Sequence, residues 1–518
     1  MTTNRDFTAA WAYHNGTKHS LQSVRSDRHY LDWENKPLPF KIYSTLEPLP
    51  LPRELPPVPI PTLEAIAVTE VDRQETRVPR VPTLAALLYL SAGITKHRTY
   101  PSGETYFFRA AACTGALYHI DLYLVCGDLP ELPAGVYHFE PRSFTLRRVR
   151  AGDHRGVLAQ ASGQEPAVIH APVTAVCTST YWRNAWKYQA RTYRHCFWDA
   201  GTLLANLLAA AAALEVPVRV VAGFVDDEVN RLLDLDTERE VALALVPLGR
   251  VAEPVPDSLP VIKPLNLPTM PLSKTAVDYP AIRAMHTASS LLDEGEVRGW
   301  RGEMPPKLDP APSGRVFPLT PLDDSAVPAA PLDQVIRYRG STRFFAREPI
   351  SFARLSTVLA RSTPGVSADF LTPTGTTLID LYLIVNAVED LPAGTYVFHR
   401  SRNALELLRE GNFRREAGYL GLGQELPADA SVNIFCLADL PPILERFGNR
   451  GYRAAQLEAA IIGGKCYLAA YGQQLGATGL TFFDDDVAAF FSPHAAGKSV
   501  MFLTALGQAA KRRVLAQA

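Results

Sequence analysis

Asp121-Leu-Tyr-Leu-Val125, followed by Leu132-Pro-Ala-Gly-Val-Tyr137, decides the fold, because both runs occur again as Asp380-Leu-Tyr-Leu-Ile384 and Leu391-Pro-Ala-Gly-Thr-Tyr396, 259 residues later. Arg191-x-Tyr-Arg194 meets Arg450-x-Tyr-Arg453 at the same spacing, and Phe224 with Asp226-Asp227 falls on Phe483 with Asp485-Asp486. Leu248-Gly249 and Leu506-Gly507 are 258 apart. A register held from Asp121 to Asp227 reads as two copies of one domain in a single chain. The length of 518 residues is twice 259.

Within a copy, the apolar run from Asp121 to Cys126 and the β-rich run from Val136 to Phe139 predict strands around a Leu-Pro-Ala-Gly turn. Pro172 to Thr178 predicts a buried strand, Trp198 to Leu214 a long helix, and Val216 to Val221 and Val241 to Pro247 two further strands. The expected class is α+β, a mostly antiparallel sheet wrapped by helices. A fused duplicate keeps the self-complementary interface of a homodimer, so an internal pseudo-dimer is expected.

Proline marks the intervening stretches. Pro48 to Pro61 (PLPLPRELPPVPIP) and the longer run from Val251 to Pro331 resist helix and inner strand, apart from a short helical pattern at Ala281 to Leu292. Both read as extended segments over a surface. The expected division is residues 1–79 as an N-terminal arm, 80–250 as domain one, 251–330 as a linker and 331–518 as domain two.

Composition narrows the function. Lys plus Arg is 52 against 53 for Asp plus Glu, net −1, so no summed field exists to hold nucleic acid or an anionic membrane. The most apolar run, Ala200 to Leu214, is shorter than the ~20 residues a span needs, and Arg194, Asp199 and Glu215 flank it. No basic segment followed by an apolar stretch opens the chain. Six cysteines at 113, 126, 177, 196, 436 and 466 form no Cys-x-x-Cys pair, which fits a reduced, cytoplasmic setting. No metal site is expected: His195-Cys196 is the one adjacent soft-ligand pair, and nothing at metal spacing joins it. His494-Ala-Ala-Gly-Lys-Ser499 lacks the first glycine of a phosphate loop, Ser492 standing in its place.

Two clusters carry chemistry. Arg337-Tyr-Arg339-Gly-Ser341-Thr-Arg343 sets three guanidiniums around a hydroxyl, a donor set suited to a phosphate monoester, with a solvated charged turn as the plain alternative. Arg183-Asn-Ala-Trp186-Lys187-Tyr188 places a lysine beside a tyrosine among aromatics, where desolvation lowers an amine's pKa and makes it a usable proton acceptor. Copy two holds Arg446-Phe447 there, so the fold does not need the Lys-Tyr pair.

Lys187-Tyr188 with Arg191-x-Tyr193-Arg194, Asp199-Ala-Gly, Gly223-Phe-Val-Asp-Asp-Glu and Pro247-Leu-Gly resembles the SagB/ThcOx-type branch of the FMN-dependent nitroreductase family. Tyr13-His14 with Thr17-Lys-His-Ser20, and Arg109-x-x-Ala-Cys113-Thr-Gly115-Ala-Leu-Tyr118, extend the resemblance. It implies two nitroreductase-like domains with FMN in their interface and an oxidoreductase activity. Arg339, Ser341 and Arg343, with Arg337 alongside, would hold phosphate and ribityl chain. Cys113, Thr114 and Gly115 would lie near the ring, and Arg191 would complete the binding set. Lys187 and Tyr188 match the pair that azoline dehydrogenases of this branch use for proton transfer, with hydride passing to flavin N5 and dioxygen reoxidising it. The substrate class implied is a small molecule or a peptide-borne azoline. A nitro or quinone reductase fed by NAD(P)H, and a non-catalytic flavin-binding protein, are the alternatives.

The sequence departs from the family pattern at Ala112-Cys113 and Pro373-Thr374, where Pro-Ser is usual, and at Gly201-Thr202, where Gly-His is usual. The copy-one counterpart of the phosphate motif reads as Arg73-Gln-Glu75-Thr-Arg77, in which Glu75 would repel a phosphate. One competent FMN site in a monomeric pseudo-dimer is therefore expected.

Overall fold

The computed structural model describes residues 4–510 except 5, 71–74, 102, 104, 256–258, 305–310, 324 and 374. The class is α+β, as expected. Copy one builds a six-stranded antiparallel sheet in the order Pro48–Pro50, Thr145–Ala151, Gly135–Glu140, Ile120–Cys126, Val173–Thr180 and Glu240–Leu248. Copy two builds a seven-stranded antiparallel sheet, with Val316–Pro318 at one edge and Gly476–Leu480 at the other. The predicted strand Val216 to Val221 is reduced to single bridges from Val218 to Leu248 and Val221 to Leu245.

The proline-rich stretches belong to the repeat. Pro48–Pro50 pairs with Thr145–Ala151 as Val316–Pro318 pairs with Ala404–Glu410, so each stretch lends its copy an edge strand, where missing N–H groups cost no inner ladder bond. The helices Thr8–Gly16 and Pro280–Ala288 are counterparts as well. His19 N–H donates to Asp484 at 2.8 Å, and Leu291 N–H donates to Asp226 at 3.0 Å. The duplication thus starts near residue 8 in one half and near residue 280 in the other, ahead of the boundaries at 80 and 331 that the repeat register suggests. The spacing is 272 residues at His19 and Leu291, 270 at Pro61 and Pro331, 259 at Ile120 and Ile379, and 258 at Asp226 and Asp484. It drops where copy one carries a hairpin, Ile94–Thr99 with Thr105–Arg109.

A pseudo-twofold axis relates the copies. Around it Thr62 N–H donates to Ala330 O and Leu332 N–H to Ile60 O, at 3.0 and 3.1 Å. The two long helices, Thr192–Ala213 and Arg450–Gly472, cross at the axis. Both are apolar around nearly their whole circumference, the pattern of a helix buried on all sides. The apolar run Tyr181–Ala213 is long enough to cross a membrane, and 94% of its most apolar window is buried inside this core. A Cβ on Gly201 would lie 2.5 Å from that of Ala460, and one on Gly464 2.6 Å from that of Ala205, so both positions need glycine for the helices to approach.

Reciprocal ion pairs lock the register. Arg191 and Arg194 reach Asp484 at 3.0 and 2.5 Å, while Arg450 and Arg453 reach Asp226 at 2.6 and 2.7 Å. All six side chains are buried. Asp484, opening its helix as Asp226 does, is therefore the counterpart of Asp226, one residue ahead of the Asp485 that a uniform spacing suggests.

Asp226→Asn should destabilise the protein by about 3–5 kcal/mol, because two buried guanidiniums lose their counter-charge. The Arg450 and Arg453 charges hold the Asp226 carboxyl down at about 2 against its burial. A depressed carboxyl stabilises fully above its unfolded pKa, roughly 3.9, and this contribution drains away as pH falls through the folded value. Thermal unfolding followed by circular dichroism should show a Tm falling below about pH 4 in the wild type, and a flatter pH dependence in Asp226→Asn.

Candidate functional site

Copy-one and copy-two clusters meet at the domain interface. From copy two, Arg339 caps the helix Leu332–Tyr338 and points its guanidinium into copy one, where Nε donates to Ala110 O at 2.8 Å. It is buried and has no carboxylate partner among the described residues. Lys96 of the copy-one hairpin donates to Arg339 O at 3.0 Å. Ser341 Oγ lies 3.3 Å from the Tyr467 hydroxyl. Arg343 is exposed, has no hydrogen-bond or ion-pair partner among the described residues, and acts electrostatically on both Lys187 and Tyr188 of copy one. Partial burial, then Arg343, pull the Lys187 amine below its ordinary value.

Lys187 and Tyr188 end the helix Tyr181–Tyr188. Lys187 is exposed, with its Nζ 5.3 Å from the centre of the Tyr188 ring. Tyr188 is packed edge-on against His195 at 4.6 Å. Its hydroxyl is pushed up by burial, then by the Asp199 carboxylate and Cys113. Opposite stands the loop from Ala112 to Tyr118. A Cβ on Gly115 would lie 2.9 Å from the Tyr188 hydroxyl, so the loop backbone runs against the phenol.

That loop is strained: Gly115, Ala116 and Tyr118 have φ of 62°, 55° and 48°. Left-handed backbone at a non-glycine residue costs of the order of 1–3 kcal/mol and persists where its surroundings over-determine it. Here they do. Asp199 accepts from Thr114 N–H at 2.8 Å, Thr114 Oγ1 at 2.6 Å and Cys113 Sγ at 3.0 Å, and contacts His119 Nε2 at 2.8 Å. His119 Nδ1 meets Ser179 Oγ at 2.8 Å. Thr202, which stands where the family has histidine, donates to Ala112 O at 2.7 Å.

The other expected residues fall elsewhere. Arg191, expected beside the cofactor, is committed to the buried pair with Asp484 and to Thr17 O. Arg337 lies on the exposed side of its helix, 3.5 Å from Asp333 and over the ring of Tyr89. Arg73 and Thr374 lie outside the described residues. The expected copy-one counterpart of the phosphate motif falls partly on Arg73, and carrying the 270-residue spacing of Pro61 and Pro331 forward counts Thr69 against Arg339. Arg77 itself pairs with Glu215 at 2.9 Å.

The pseudo-symmetric position is closed. Arg446, counterpart of Lys187, donates to the carbonyls of Trp300, Arg301 and Glu303 at 3.2, 3.0 and 3.1 Å. Trp300 is buried, packs with its ring tilted 52° and 5.4 Å from that of Phe447, counterpart of Tyr188, and donates to Phe447 O at 2.9 Å. At the open site the corresponding segment is Asp27 to His29, whose His29 Nε2 contacts Trp186 O and leaves Lys187 uncovered. A cavity of about 1100 Å³ lies apart from both positions, under residues 264–283 and lined by Tyr181, Trp182 and Ala185. Among the described residues no His, Cys, Asp and Glu group is arranged to hold a metal.

The nitroreductase family profile matches residues 107–250 and 336–507, one stretch in each copy and together more than half the chain. The chain belongs to the nitroreductase family. It is thereby a flavin-dependent oxidoreductase. A crystal structure of a candidate nitroreductase from Anabaena variabilis superposes with a TM-score of 0.78 at 27% identity, over 97% of this chain and 99% of that one, so the family fold extends beyond the two matched stretches. A candidate nitroreductase of Methanocaldococcus jannaschii is 25% identical over 170 residues, 33% of this chain and 80% of that one. The microcin B17-processing protein McbC of Escherichia coli is 29% identical over 154 residues, 29% of this chain and about half (52%) of McbC.

Gly115→Val should lose the paired geometry of loop and phenol, since the substitution adds left-handed strain and drives side-chain atoms into Tyr188. The expected outcome is a loss of about 1–3 kcal/mol in urea unfolding, with a changed near-ultraviolet circular dichroism spectrum; an unchanged spectrum and stability would show that the loop does not press on Tyr188.

Proposed function

We propose that the chain is an FMN-dependent dehydrogenase of the SagB/ThcOx-type branch, with one flavin site between the copies and a peptide-borne azoline as substrate. The observation that carries the cofactor assignment is that Lys96, Arg339, Arg343 and Lys187, none with a carboxylate partner among the described residues, are brought together where copy two meets copy one, beside a loop whose carboxylate, Asp199, already has its hydrogen bonds filled. Uncompensated cations converging on one place suit a phosphate dianion. Arg339, Ser341 and Arg343 would hold phosphate and ribityl chain, and the Cys113 to Gly115 backbone would lie along the ring. Bound FMN supplies the hydride acceptor.

The chain's own residues supply the rest. Lys187, with its amine pulled toward neutrality by partial burial and Arg343, accepts the proton from the substrate carbon. Tyr188, kept protonated, donates a hydrogen bond to the ring heteroatom region where negative charge develops. The likeness to McbC, a microcin B17-processing protein, supports a peptide substrate.

Purified protein should carry close to one FMN per chain, because Trp300 and the Arg446 contacts fill the pseudo-symmetric position. Arg343→Ala should weaken FMN binding by roughly tenfold or more, measured by quenching of flavin fluorescence. Lys187→Ala should keep the flavin and lose about 10²–10⁴-fold in turnover of an azoline peptide. Two flavins per chain would sink the single-site reading. Fast bleaching of the flavin by NAD(P)H, with azoline peptides inert, would instead mark a nitro or quinone reductase.

A further inference from the structure

One buried carboxylate connects the strained loop to the Lys-Tyr pair, and none of the roles assigned so far uses it. Asp199 sits on the long copy-one helix, 5% exposed, and gathers its contacts from Cys113, Thr114 and His119. Cys113 in turn accepts from Tyr118 N–H at 3.0 Å, so both ends of the positive-φ run, Thr114 and Tyr118, are tied to the same carboxylate through one bond or two. Gly115, between them, is the residue that runs against Tyr188.

We propose that Asp199 is a positioning residue which holds the loop 113–118 in its flavin-ready shape against Tyr188 and places a buried anion beside that phenol, leaving Lys187 as the proton acceptor. The proposal rests on the Lys187/Tyr188 assignment made above. The charged and titratable groups facing Tyr188 are Asp199 and His195 from the long helix, Cys113 from the loop, Arg343 from copy two, and Lys187 beside it. Of these, Asp199 is the one buried anion, and an anion beside a phenol opposes its ionisation while the Arg343 cation favours it. Burial opposes that ionisation first, and neutralising Asp199 removes the next largest opposition.

Asp199→Asn is tested as the full chain. FMN added to apoprotein should bind at least about tenfold more weakly, since a carboxylate accepting several hydrogen bonds becomes an amide that accepts fewer. Tyrosinate absorbance, with Tyr188→Phe subtracted in each background, should show Tyr188 ionising at lower pH in Asp199→Asn than in the wild type. An unchanged Tyr188 titration overturns the proposal, whatever happens to FMN affinity, because a merely structural role would not set the charge state of the phenol. If Asp199→Asn does not fold, Thr114→Val replaces it: removing one neutral donor to Asp199 should weaken FMN by about three- to tenfold, and unaltered affinity overturns the proposal. Wild-type apoprotein that binds no FMN would refute the flavin reading, while the Tyr188 titration would still test Asp199.

Discussion

The close crossing of the two long helices at Gly201 and Gly464 is the constraint on which the rest depends. With a side chain at either position the helices would stand apart, and the arginines that leave each helix start would no longer reach the opposite copy's aspartate. The four ion pairs add little net stability over an apolar interface, because desolvating six charged groups offsets most of their attraction. Their use is in register. Each arginine pair straddles one carboxylate, so a slip of one helical turn would strand buried charges, and one alignment of the copies is selected. That alignment brings Arg339 and Arg343 of one copy across to the Lys-Tyr face of the other.

A homodimer with this architecture would carry two identical sites, since any change to the chain appears on both sides of the axis. Fusion removes that restriction, and the two positions have parted. Lysine and tyrosine on one side are arginine and phenylalanine on the other. An arginine with a fixed positive charge cannot serve as a base near neutral pH, and here its guanidinium is used up on three carbonyls around Trp300. The tryptophan fills by packing what the open side leaves to solvent, and Thr69, which the spacing counts against Arg339, brings no cation. Structure has taken over the second position, and chemistry is concentrated at the first.

Much of this was readable in the sequence wherever both copies kept the same residues at one spacing. Asp121 to Val125, the Leu-Pro-Ala-Gly turn and the paired arginines fixed the duplication and the α+β class, because each is a local pattern with a physical cause. The early part of the repeat was hidden. Between Thr8 and Pro61 the copies share almost no residues with Pro280 to Pro331, and the hairpin at Ile94–Arg109 shifts the spacing, so related segments looked like an arm and a linker. Arg191 was placed with the cofactor because its neighbours Lys187 and Tyr188 are there; the direction of its side chain depends on Asp484, nearly three hundred residues away, which no local pattern reports. Trp300 and Asp199 had the same difficulty. One became visible through what it packs on, the other through what converges on it.

The near-neutral net charge and the cationic interface are consistent once burial is considered. Lys96, Arg339, Arg343 and Lys187 are few among 52 basic residues, yet the copies hold them together with the nearest carboxylate already saturated, and screening by water is weakened where the wall is protein. Arg339 meets only carbonyl dipoles, which stabilise its charge without cancelling it. A positive potential is thus maintained by what surrounds the site: carboxylates that could have quenched it are engaged elsewhere, Asp484 and Asp226 with their own arginine pairs and Asp199 with the loop. The ion pairs that set the register and the charge that would receive a phosphate are therefore parts of one arrangement, in which Asp484, Asp226 and Asp199 are engaged and Lys96, Arg339, Arg343 and Lys187 have no carboxylate partner among the described residues.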